Sequence, residues 1–261
     1  MADTSSSAVA SPVTVSVVTV VFNSAGTIGG CLDGVARQTH PVEHIVVDGG
    51  STDGTLEVFG RHRGRRTALV SEPDRGIFDA MNKGLRRAMG DVVGFLNADD
   101  FFTDERVIAQ IALAFADPAV DCVYGDLEYV AADDTGRVVR RWQSGRYTRL
   151  RMYQGWMPPH PTFYVRRRFY TEFGGFNLAL GTAADYELML RFLLRYRLRA
   201  AYIPRVLVRM RTGGASNSSI AARLRANRMD REAWRVNGLR PRPWTLVLKP
   251  LRKVGQYFTW K

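Results

Sequence analysis

The chain has 261 residues, and its 37 lysine and arginine residues outnumber 25 aspartate and glutamate residues, giving a formal net charge of +12. A hydrophobic content of 46% with 24% charged residues is typical of a folded domain and excludes a disordered chain. Two cysteines, Cys31 and Cys122, are too few for a disulfide scaffold or a cysteine-rich zinc site, and they favour a cytoplasmic protein.

The first hundred residues alternate apolar strands with helices. The residue pattern predicts strands over 13–22, 44–48, 68–71 and 91–96, and helices over 25–38, 55–61 and 77–89. Such alternation is typical of βαβ units in an α/β fold with a parallel sheet. Ligands of such sheets bind beyond the carboxyl ends of the strands. The polar residues at those ends are Asn23, residues 48–53 and residues 97–100.

Beyond residue 104 the regular alternation is lost. Here the pattern predicts a hairpin over 122–130 and 137–142, a loop over 143–160, strands over 162–165 and 199–210, and helices over 105–116, 166–172, 183–196 and 219–236. A basic tail follows from residue 241. No segment reaches the roughly 18 apolar residues that span a membrane, and the first residues do not resemble a secretion signal.

The charge is divided unevenly along the chain. Residues 1–135 contain 10 basic and 20 acidic residues, whereas residues 188–261 contain 18 basic and 2 acidic residues. This asymmetry argues against a protein that coats nucleic acid uniformly, and it predicts a catalytic body with a basic tail that binds an anionic partner. In residues 240–261 aromatic and basic side chains alternate, which fits either an anionic membrane surface or a helix packed on the body.

Paired carboxylates are the sharpest chemical signal. Asp99 and Asp100 follow a predicted buried strand, and adjacent carboxylates of this kind suit Mg²⁺ or Mn²⁺ bound together with substrate phosphates. The alternative is that they cap the helix predicted after them. Asp48 also ends a strand, where it either accepts hydrogen bonds from a base or ribose or stabilises the Gly49-Gly50 turn. Asp53 fits a helix N-cap.

The second half offers two further candidates. Asp185 lies at the predicted start of a helix, where it is either a general base or a carboxylate favoured by the helix dipole. His160 lies between prolines and either contacts a phosphate or acceptor hydroxyl or simply packs. Glycines at 49, 50 and 54 do not form a G-x-G-x-x-G or Walker pattern, which disfavours a dehydrogenase or a P-loop NTPase.

Three motifs in this order resemble the family 2 glycosyltransferases of the GT-A fold. They are residues 16–23 (SVVTVVFN), 45–55 (IVVDGGSTDGT) and 95–100 (FLNADD), and the likeness covers roughly residues 13–210. Residues 74–84 (DRGIFDAMNKG) are similar to the subgroup that builds bacterial exopolysaccharides and cell-envelope glycolipids. The resemblance implies a Rossmann-like, mostly parallel sheet flanked by helices.

The resemblance also implies roles for individual residues. Asp185 is the expected catalytic base, Asp99 and Asp100 the expected ligands of Mg²⁺ or Mn²⁺, and Trp156 and His160 are candidates for acceptor binding. The expected residues of the nucleotide-sugar site are Val20, Val21, Phe22, Asn23, Asp48, Arg75, Lys83, Asn97 and Asp99. The expected organisation is a flexible N-terminus (1–12), a donor-binding part (13–103), an acceptor-binding part (104–210) and a basic helical extension (211–261).

The sequence departs from the family pattern at three places. Val20-Val21 replaces Pro-Thr, Asn97 replaces a frequent aspartate, and Ala184 replaces the glutamate before the base. None of these changes removes a residue expected to act in catalysis. The expectation is therefore a metal-dependent, inverting hexosyltransferase that acts on a glycan or lipid-linked acceptor of the cell envelope. The alternatives are a nucleotidyltransferase, an inactive homologue that only binds donor, or a non-catalytic protein that binds nucleic acid or anionic lipid.

The expected partners are a nucleotide-sugar and the acceptor, with no nucleic acid. The expected location is the cytoplasm, with the basic tail at the inner face of the cell membrane. The sugar, the nucleotide, the linkage and the oligomeric state are not encoded in any motif of the sequence.

Overall fold

The computed structural model of the protein describes residues 12–62, 64, 66–213 and 220–256. Its strands are β1 (Val15–Val21), β2 (Val42–Asp48), β3 (Thr67–Ser71), β4 (Val92–Phe95), β5 (Asp100–Phe102), β6 (Cys122–Val130), β7 (Val138–Trp142), β8 (Tyr164–Arg166) and β9 (Ala200–Arg211). Its α-helices are α1 (Ile28–Ala36), α2 (Thr55–His62), α3 (Ile77–Arg87), α4 (Val107–Ala114), α5 (Arg149–Tyr153), α6 (Arg167–Phe173), α7 (Ala184–Met189), α8 (Ile220–Val236) and α9 (Thr245–Gly255).

These strands form a single mixed sheet in the order β3-β2-β1-β4-β8-β6-β9-β5, with β7 paired to β6. The strands β1 to β4 pair with one another in parallel. Strand β8 joins β4 to β6 and is antiparallel to both, and β5 is antiparallel to β9. The predicted α/β fold is confirmed, with parallel pairing among β1 to β4 and again between β6 and β9. The predicted hairpin is present as β6 and β7.

The central strand β1 is buried on both faces, which explains its nearly continuous β-branched sequence. Val15 and Val17 face the core beneath α1 and α4, whereas Val18 and Val20 face the core beneath α3 and α7. Helix α3 approaches this strand closely at Gly84, where a Cβ atom would lie 2.3 Å from Val18 Cγ1. The carboxyl ends of β1, β2 and β4 are thereby held at a common edge.

Several elements differ from the sequence prediction. Strand β5 and helix α5 were not predicted, because three and five residues are too short to show a hydrophobic period. The strand predicted over 162–165 is split into a 3₁₀ turn (His160–Thr162) and β8. The helix predicted over 183–196 is α-helical only to Met189, and Leu190–Arg195 continue it with π-type hydrogen bonds.

The basic extension packs on the body through two helices. In α8, Trp234 is fully buried and its Nε1 donates to Tyr186 Oη at 3.0 Å. In α9, the backbone approaches Gly155 so closely that a Cβ atom there would lie 2.4 Å from the Lys249 nitrogen. Gly155 also has a positive φ of 78°. Residues 245–252 of the tail therefore follow the packed-helix alternative.

Some sequence predictions fall on residues that the structure does not describe. They are the flexible N-terminus, apart from Pro12, and the aromatic residues Tyr257, Phe258 and Trp260 of the tail. The predicted division at residues 103 and 104 stays a prediction, and the sheet crosses it because β5 pairs with β9. None of the helices in the described ranges is both long and apolar enough to cross a membrane.

Candidate active site

The turns that follow β1 and β2 are bonded to each other. Asn23 adopts a positive φ of 47°, and its Oδ1 accepts a hydrogen bond from Thr52 N at 2.9 Å. Its own backbone N–H donates to Ser51 Oγ at 2.8 Å. Asp53 caps α2, as predicted, by accepting from Thr55 N, and it also accepts from Ala25 N. These bonds fix the edge at which a donor nucleotide is expected.

Asp48 is fully buried in this edge. Its carboxylate accepts hydrogen bonds from Gly50 N, from Ser51 N and Oγ, and from Ser71 Oγ at 2.5 to 3.2 Å. The structure thus places Asp48 in the turn-stabilising arrangement that the sequence offered as its alternative. Its contact with a base or ribose stays a prediction.

A second carboxylate, which the sequence prediction missed, lies beside this turn. A Cβ atom on Gly49 would lie 2.5 Å from Asp74 Oδ2 and 3.4 Å from the ring of Phe22. Phe22 is largely exposed, whereas the side chains of Val20 and Val21 are buried in the core and leave only their backbone at the edge. Asp74 opens the 74–84 motif, in which the sequence prediction assigned no role to this carboxylate, and the packing of the β3–α3 loop brings it beside Gly49.

The two cations expected near the diphosphate are placed differently. Arg75 has a side chain that is 81% exposed, with its Nε 3.5 Å from Asp79 Oδ2. Lys83 is buried, and its Nζ donates to the Pro73 carbonyl at 2.6 Å and lies 3.2 Å from Glu72 Oε1. Lys83 therefore holds the β3–α3 loop against α3, while Arg75 extends into solvent. Their contact with a diphosphate stays a prediction.

Asn97, Asp99 and Asp100 follow β4 and are held by β5 rather than by a helix cap. Asp100 is fully buried at the start of β5, opposite Met210 of β9, and its Oδ2 accepts from Asn97 Nδ2 at 3.0 Å. Asp100 Oδ1 and Asn97 Oδ1 are buried without a hydrogen-bond partner in the structure. Burial, followed by the charge of Asp99, raises the pKa of Asp100 well above its usual range.

These unsatisfied oxygens fit a divalent cation. Buried acceptors without a donor are costly, and hard cations are bound by carboxylate and carbonyl oxygens. Among the described residues no three histidine, cysteine or carboxylate side chains form a metal-binding group. An ion at Asp99 and Asp100 would therefore take its other ligands from substrate or water, as Mg²⁺ usually does in phosphate-binding sites.

Arg211 is a further residue of this site that the sequence prediction missed. It ends β9, and its Nη1 donates to the Asp99 carbonyl at 2.6 Å. Its guanidinium carbon lies 4.9 Å from the centre of the Phe101 ring. The Arg211 charge lowers the pKa of Asp100, against the larger effect of burial. Since β5 was not predicted, the approach of the end of β9 to Asp99 could not be predicted either.

Asp185 and His160 lie on the neighbouring side of the site. Asp185 is half-buried at the start of α7, its Oδ1 accepts from Tyr186 N at 2.6 Å, and no described residue donates to its Oδ2. The His160 ring stacks on Phe95 of β4 with centroids 5.7 Å apart. Burial lowers the pKa of His160, and the charge of Asp185 acts in the opposite direction. The structure therefore brings Asp185 and His160 together beside the end of β4.

Trp156 is separated from this cluster by the core. It is almost fully buried, its Nε1 donates to the Ser144 carbonyl at 2.8 Å, and its ring meets the edge of Tyr124 at 5.6 Å. What remains accessible lines a cavity beneath α9 together with Arg151 and Arg252. Its role in acceptor binding stays a prediction.

The sequence was compared with known proteins. Residues 16–174 match the family model described as Glycosyl transferase family 2. The chain belongs to the family 2 glycosyltransferases. The predicted family and the predicted enzyme class are confirmed, and the protein is a glycosyltransferase rather than a nucleotidyltransferase.

Relatives of this glycosyltransferase agree with the assignment. It is 30% identical over 211 residues to the PGL/p-HBAD biosynthesis glycosyltransferase of Mycobacterium tuberculosis, covering 78% of this chain and 80% of the relative. The mannosyltransferase PcManGT from Pyrobaculum calidifontis, solved with GDP-Man and Mn²⁺, is similar with a TM-score of 0.63 and 20% identity over 97% of this chain and 77% of the other. Staphylococcus aureus TarS 1–349 with UDP-GlcNAc gives a TM-score of 0.66 at 19% identity, over 95% and 73%. These two likenesses show the fold alone, and they agree with the predicted GT-A fold.

Proposed function

We propose that this glycosyltransferase moves a hexose from a nucleotide-sugar to a hydroxyl of a glycan or lipid-linked acceptor of the cell envelope, by one displacement with inversion. Asp99 and Asp100 hold Mg²⁺ or Mn²⁺ at the donor diphosphate, and Asp185 is the base. The observation that carries the proposal is the pair of buried, unpartnered oxygens at Asn97 and Asp100, just after the end of β4. The His160 ring stacks on Phe95, the last residue of β4, and the charge of Asp185 acts on His160.

The donor end is supported by the fixed edge of the sheet. Asn23 and Ser51 hold the two turns together, and Phe22 provides an exposed aromatic face for a nucleobase. Arg75 extends from the neighbouring loop into solvent, where it reaches a phosphate oxygen. When bound, the divalent ion stabilises the negative charge that develops on the leaving nucleoside diphosphate.

The base is supported by the geometry of α7. One oxygen of Asp185 is held by Tyr186 N, which fixes the carboxylate and leaves Oδ2 for the acceptor hydroxyl. Asp185 Oδ2 takes the proton of the acceptor hydroxyl while the hydroxyl oxygen attacks the anomeric carbon. The nucleoside diphosphate leaves from the opposite face of that carbon. A single attack of this kind inverts the anomeric configuration. His160 packs between Phe95 and Phe176 and excludes water from this side.

The experiment that tests the base is Asp185→Asn, with Asp133→Asn as a matched control on the exposed tip of the β6–β7 hairpin. We expect kcat to fall about 10³-fold in Asp185→Asn, within the range for loss of a general base, while donor affinity stays within about twofold. The anomeric configuration of the product is read by NMR. Retained turnover with bound donor, or a retained configuration, would contradict the assignment.

The metal is tested separately. We expect EDTA to abolish transfer, Mn²⁺ or Mg²⁺ to restore it, and Asp99→Asn to weaken metal-dependent donor binding measured by calorimetry. The Asp133→Asn variant again serves as the control. Transfer that is unchanged in EDTA would refute the metal part of the proposal and leave the assignment of Asp185 intact.

We also propose that the protein binds the inner membrane surface through α9. Val247 and Leu251 are exposed and lie one helical turn apart in α9, and the exposed Trp244 directly precedes the helix. Exposed apolar residues flanked by arginines are typical of interfacial helices. Val247→Asp and Leu251→Asp should therefore abolish flotation with phosphatidylglycerol liposomes. Leu113→Asp, at a still more exposed leucine on α4, should have no effect. Equal flotation of all three variants would count against this surface.

A further inference from the structure

A small cavity lies beneath α9, on the side of the helix that faces the body. It has a volume of about 220 Å³ and is bounded by β7, α5, the turn at Trp156 and the end of α9. Its cationic lining residues are Arg141, Arg151, Lys249 and Arg252. Pockets that enclose a whole small molecule usually measure about 300–1,000 Å³, so this cavity is of a size for one charged group.

Carboxylates compensate only part of this positive charge. Glu128 is shared between Arg141 and Arg209, at 2.6 and 3.0 Å, and Asp230 pairs with Lys249 at 2.7 Å. Within the described ranges, neither Arg151 nor Arg252 forms an ion pair with a carboxylate. The cavity therefore keeps a net positive charge.

The two unpaired guanidinium groups are held in place by neutral acceptors. Arg151 donates to the carbonyl oxygens of Ser144 and Arg146 at 2.9 and 2.6 Å. Arg252 donates to the Gln154 carbonyl at 2.8 Å. Partial burial, followed by the nearby like charge of Arg151, lowers the pKa of Arg252. An anion between the two guanidinium groups would offset these like charges.

A neutral side chain completes the lining. The Gln256 amide reaches the cavity, and its buried Oε1 has no hydrogen-bond partner in the structure. The opposite amide orientation, which exchanges oxygen and nitrogen, presents an N–H donor at this position. Arginine forks and an amide donor are the groups that bind phosphate oxygens in proteins.

We propose that this cavity binds a phosphate group, with Arg151 and Arg252 as its principal donors. The phosphate is carried by a lipid, which is either the acceptor or a membrane phospholipid. The cavity opens beside α9, which also exposes Val247 and Leu251 to solvent. Lys249, which lines the cavity, places its Nζ 3.5 Å from the ring centre of Tyr186. The choice of a lipid as the carrier rests on the proposed function, whereas binding of the phosphate does not.

The first test is titration of the full chain with inorganic phosphate and pyrophosphate by calorimetry. EDTA is present throughout, so that no divalent ion supports binding at the donor site. We expect Arg252→Gln to weaken binding about tenfold or more. Arg149→Gln, an exposed arginine on α5 that does not line the cavity, should bind like the wild type. Arg151→Lys keeps the charge without the fork and should be intermediate. Absence of binding by the wild type, or equal binding by Arg252→Gln, would overturn the proposal.

The second test identifies the carrier. Farnesyl phosphate in detergent micelles and phosphatidylglycerol vesicles are compared with farnesol and phosphatidylcholine, each with the wild type and Arg252→Gln. Arg252-dependent binding of farnesyl phosphate alone identifies an acceptor lipid, and Arg252-dependent binding of the vesicles identifies a membrane phospholipid. If neither depends on Arg252, the proposal of a lipid phosphate is refuted. We expect Asp185→Asn to keep its phosphate binding, since Asp185 does not line the cavity, so failure of the proposed catalysis is distinguishable from failure of this site.

Discussion

A buried ion pair holds the loop that leads to Asp185, and breaking it should destabilise the whole protein. Glu187 of α7 and Arg191 are 4% and 10% exposed, and they form two hydrogen bonds of 3.0 Å. Arg191 also donates to the carbonyls of Gly174 and Gly175 at 2.8 and 2.6 Å, and to that of Phe173. The perturbation is Arg191→Met, which keeps the length of the side chain and removes every one of these donors.

The expected loss in the free energy of unfolding follows from the groups that Arg191→Met leaves without a donor. Glu187 would keep only the hydrogen bond from Asn237 Nδ2, at 3.1 Å, and three carbonyls would lose a donor. Removing one partner of a buried pair costs about 3–5 kcal/mol, because the other charge stays buried. Native proteins are stable by about 5–15 kcal/mol, so this loss is a large fraction of the total. Urea denaturation followed by circular dichroism measures it.

The matched control is another ion pair at i and i+4, exposed on the β6–β7 hairpin. Arg137 and Asp133 are 60% and 81% exposed with 3.1 Å between them, and such pairs contribute about 0.2–1 kcal/mol. Arg137→Met should therefore change the free energy of unfolding by less than about 1 kcal/mol. The double variant Glu187→Met with Arg191→Met should lose less than the sum of the single variants, because it removes both charges. If Arg191→Met is no more destabilising than Arg137→Met, the reasoning is refuted.

Three further predictions concern the core, the metal site and α9. Burial lowers the pKa of His44 from 6.5 to about 3. The free energy of unfolding should therefore decrease as the pH falls below about 6.5, by about 2 kcal/mol at pH 5. His44→Gln should remove this loss, and His62→Gln should not. The measurement is the free energy of unfolding by urea at pH 8 and pH 5. An unchanged difference between the two pH values in His44→Gln would contradict this prediction. Asp100→Asn should raise the free energy of unfolding by about 0.5–2 kcal/mol while abolishing transfer, since it removes a buried repulsive charge. A destabilised variant in the same denaturation assay would argue against repulsion at this site. Gly155→Ala should detach α9 and speed its proteolysis, because a Cβ atom at Gly155 would clash with the backbone of Lys249. Gly60→Ala on α2, which has open space around it, should not change the rate of cleavage. Unchanged cleavage of Gly155→Ala would show that α9 does not need its close contact with Gly155.

The donor edge was predictable because its residues follow directly from the ends of parallel strands. Carboxyl ends of such strands meet at one edge, so Asn23, Asp48 and Asp99 were expected to converge before any contact was known. The bonds of Asn23 to the turn after β2 agree with this. Arg211 and Asp74 reach the same edge through tertiary packing, one by the pairing of β9 with β5 and one by the β3–α3 loop. The pairing of β9 with β5 leaves no local signal in the sequence, and the 74–84 motif that contains Asp74 does not show which strand end it reaches.

The net charge of +12 says less about function than the positions of the charges do. Many carboxylates of the first half are bonded within the donor edge, as Asp48 and Asp53 are. In the basic half, by contrast, Arg151 and Arg252 are bonded to carbonyls and converge on one cavity. Lys249, which lines that cavity, also lies over the ring of Tyr186 in α7. The proposed phosphate site thus turns an overall property of the chain into a testable claim about two guanidinium groups, those of Arg151 and Arg252.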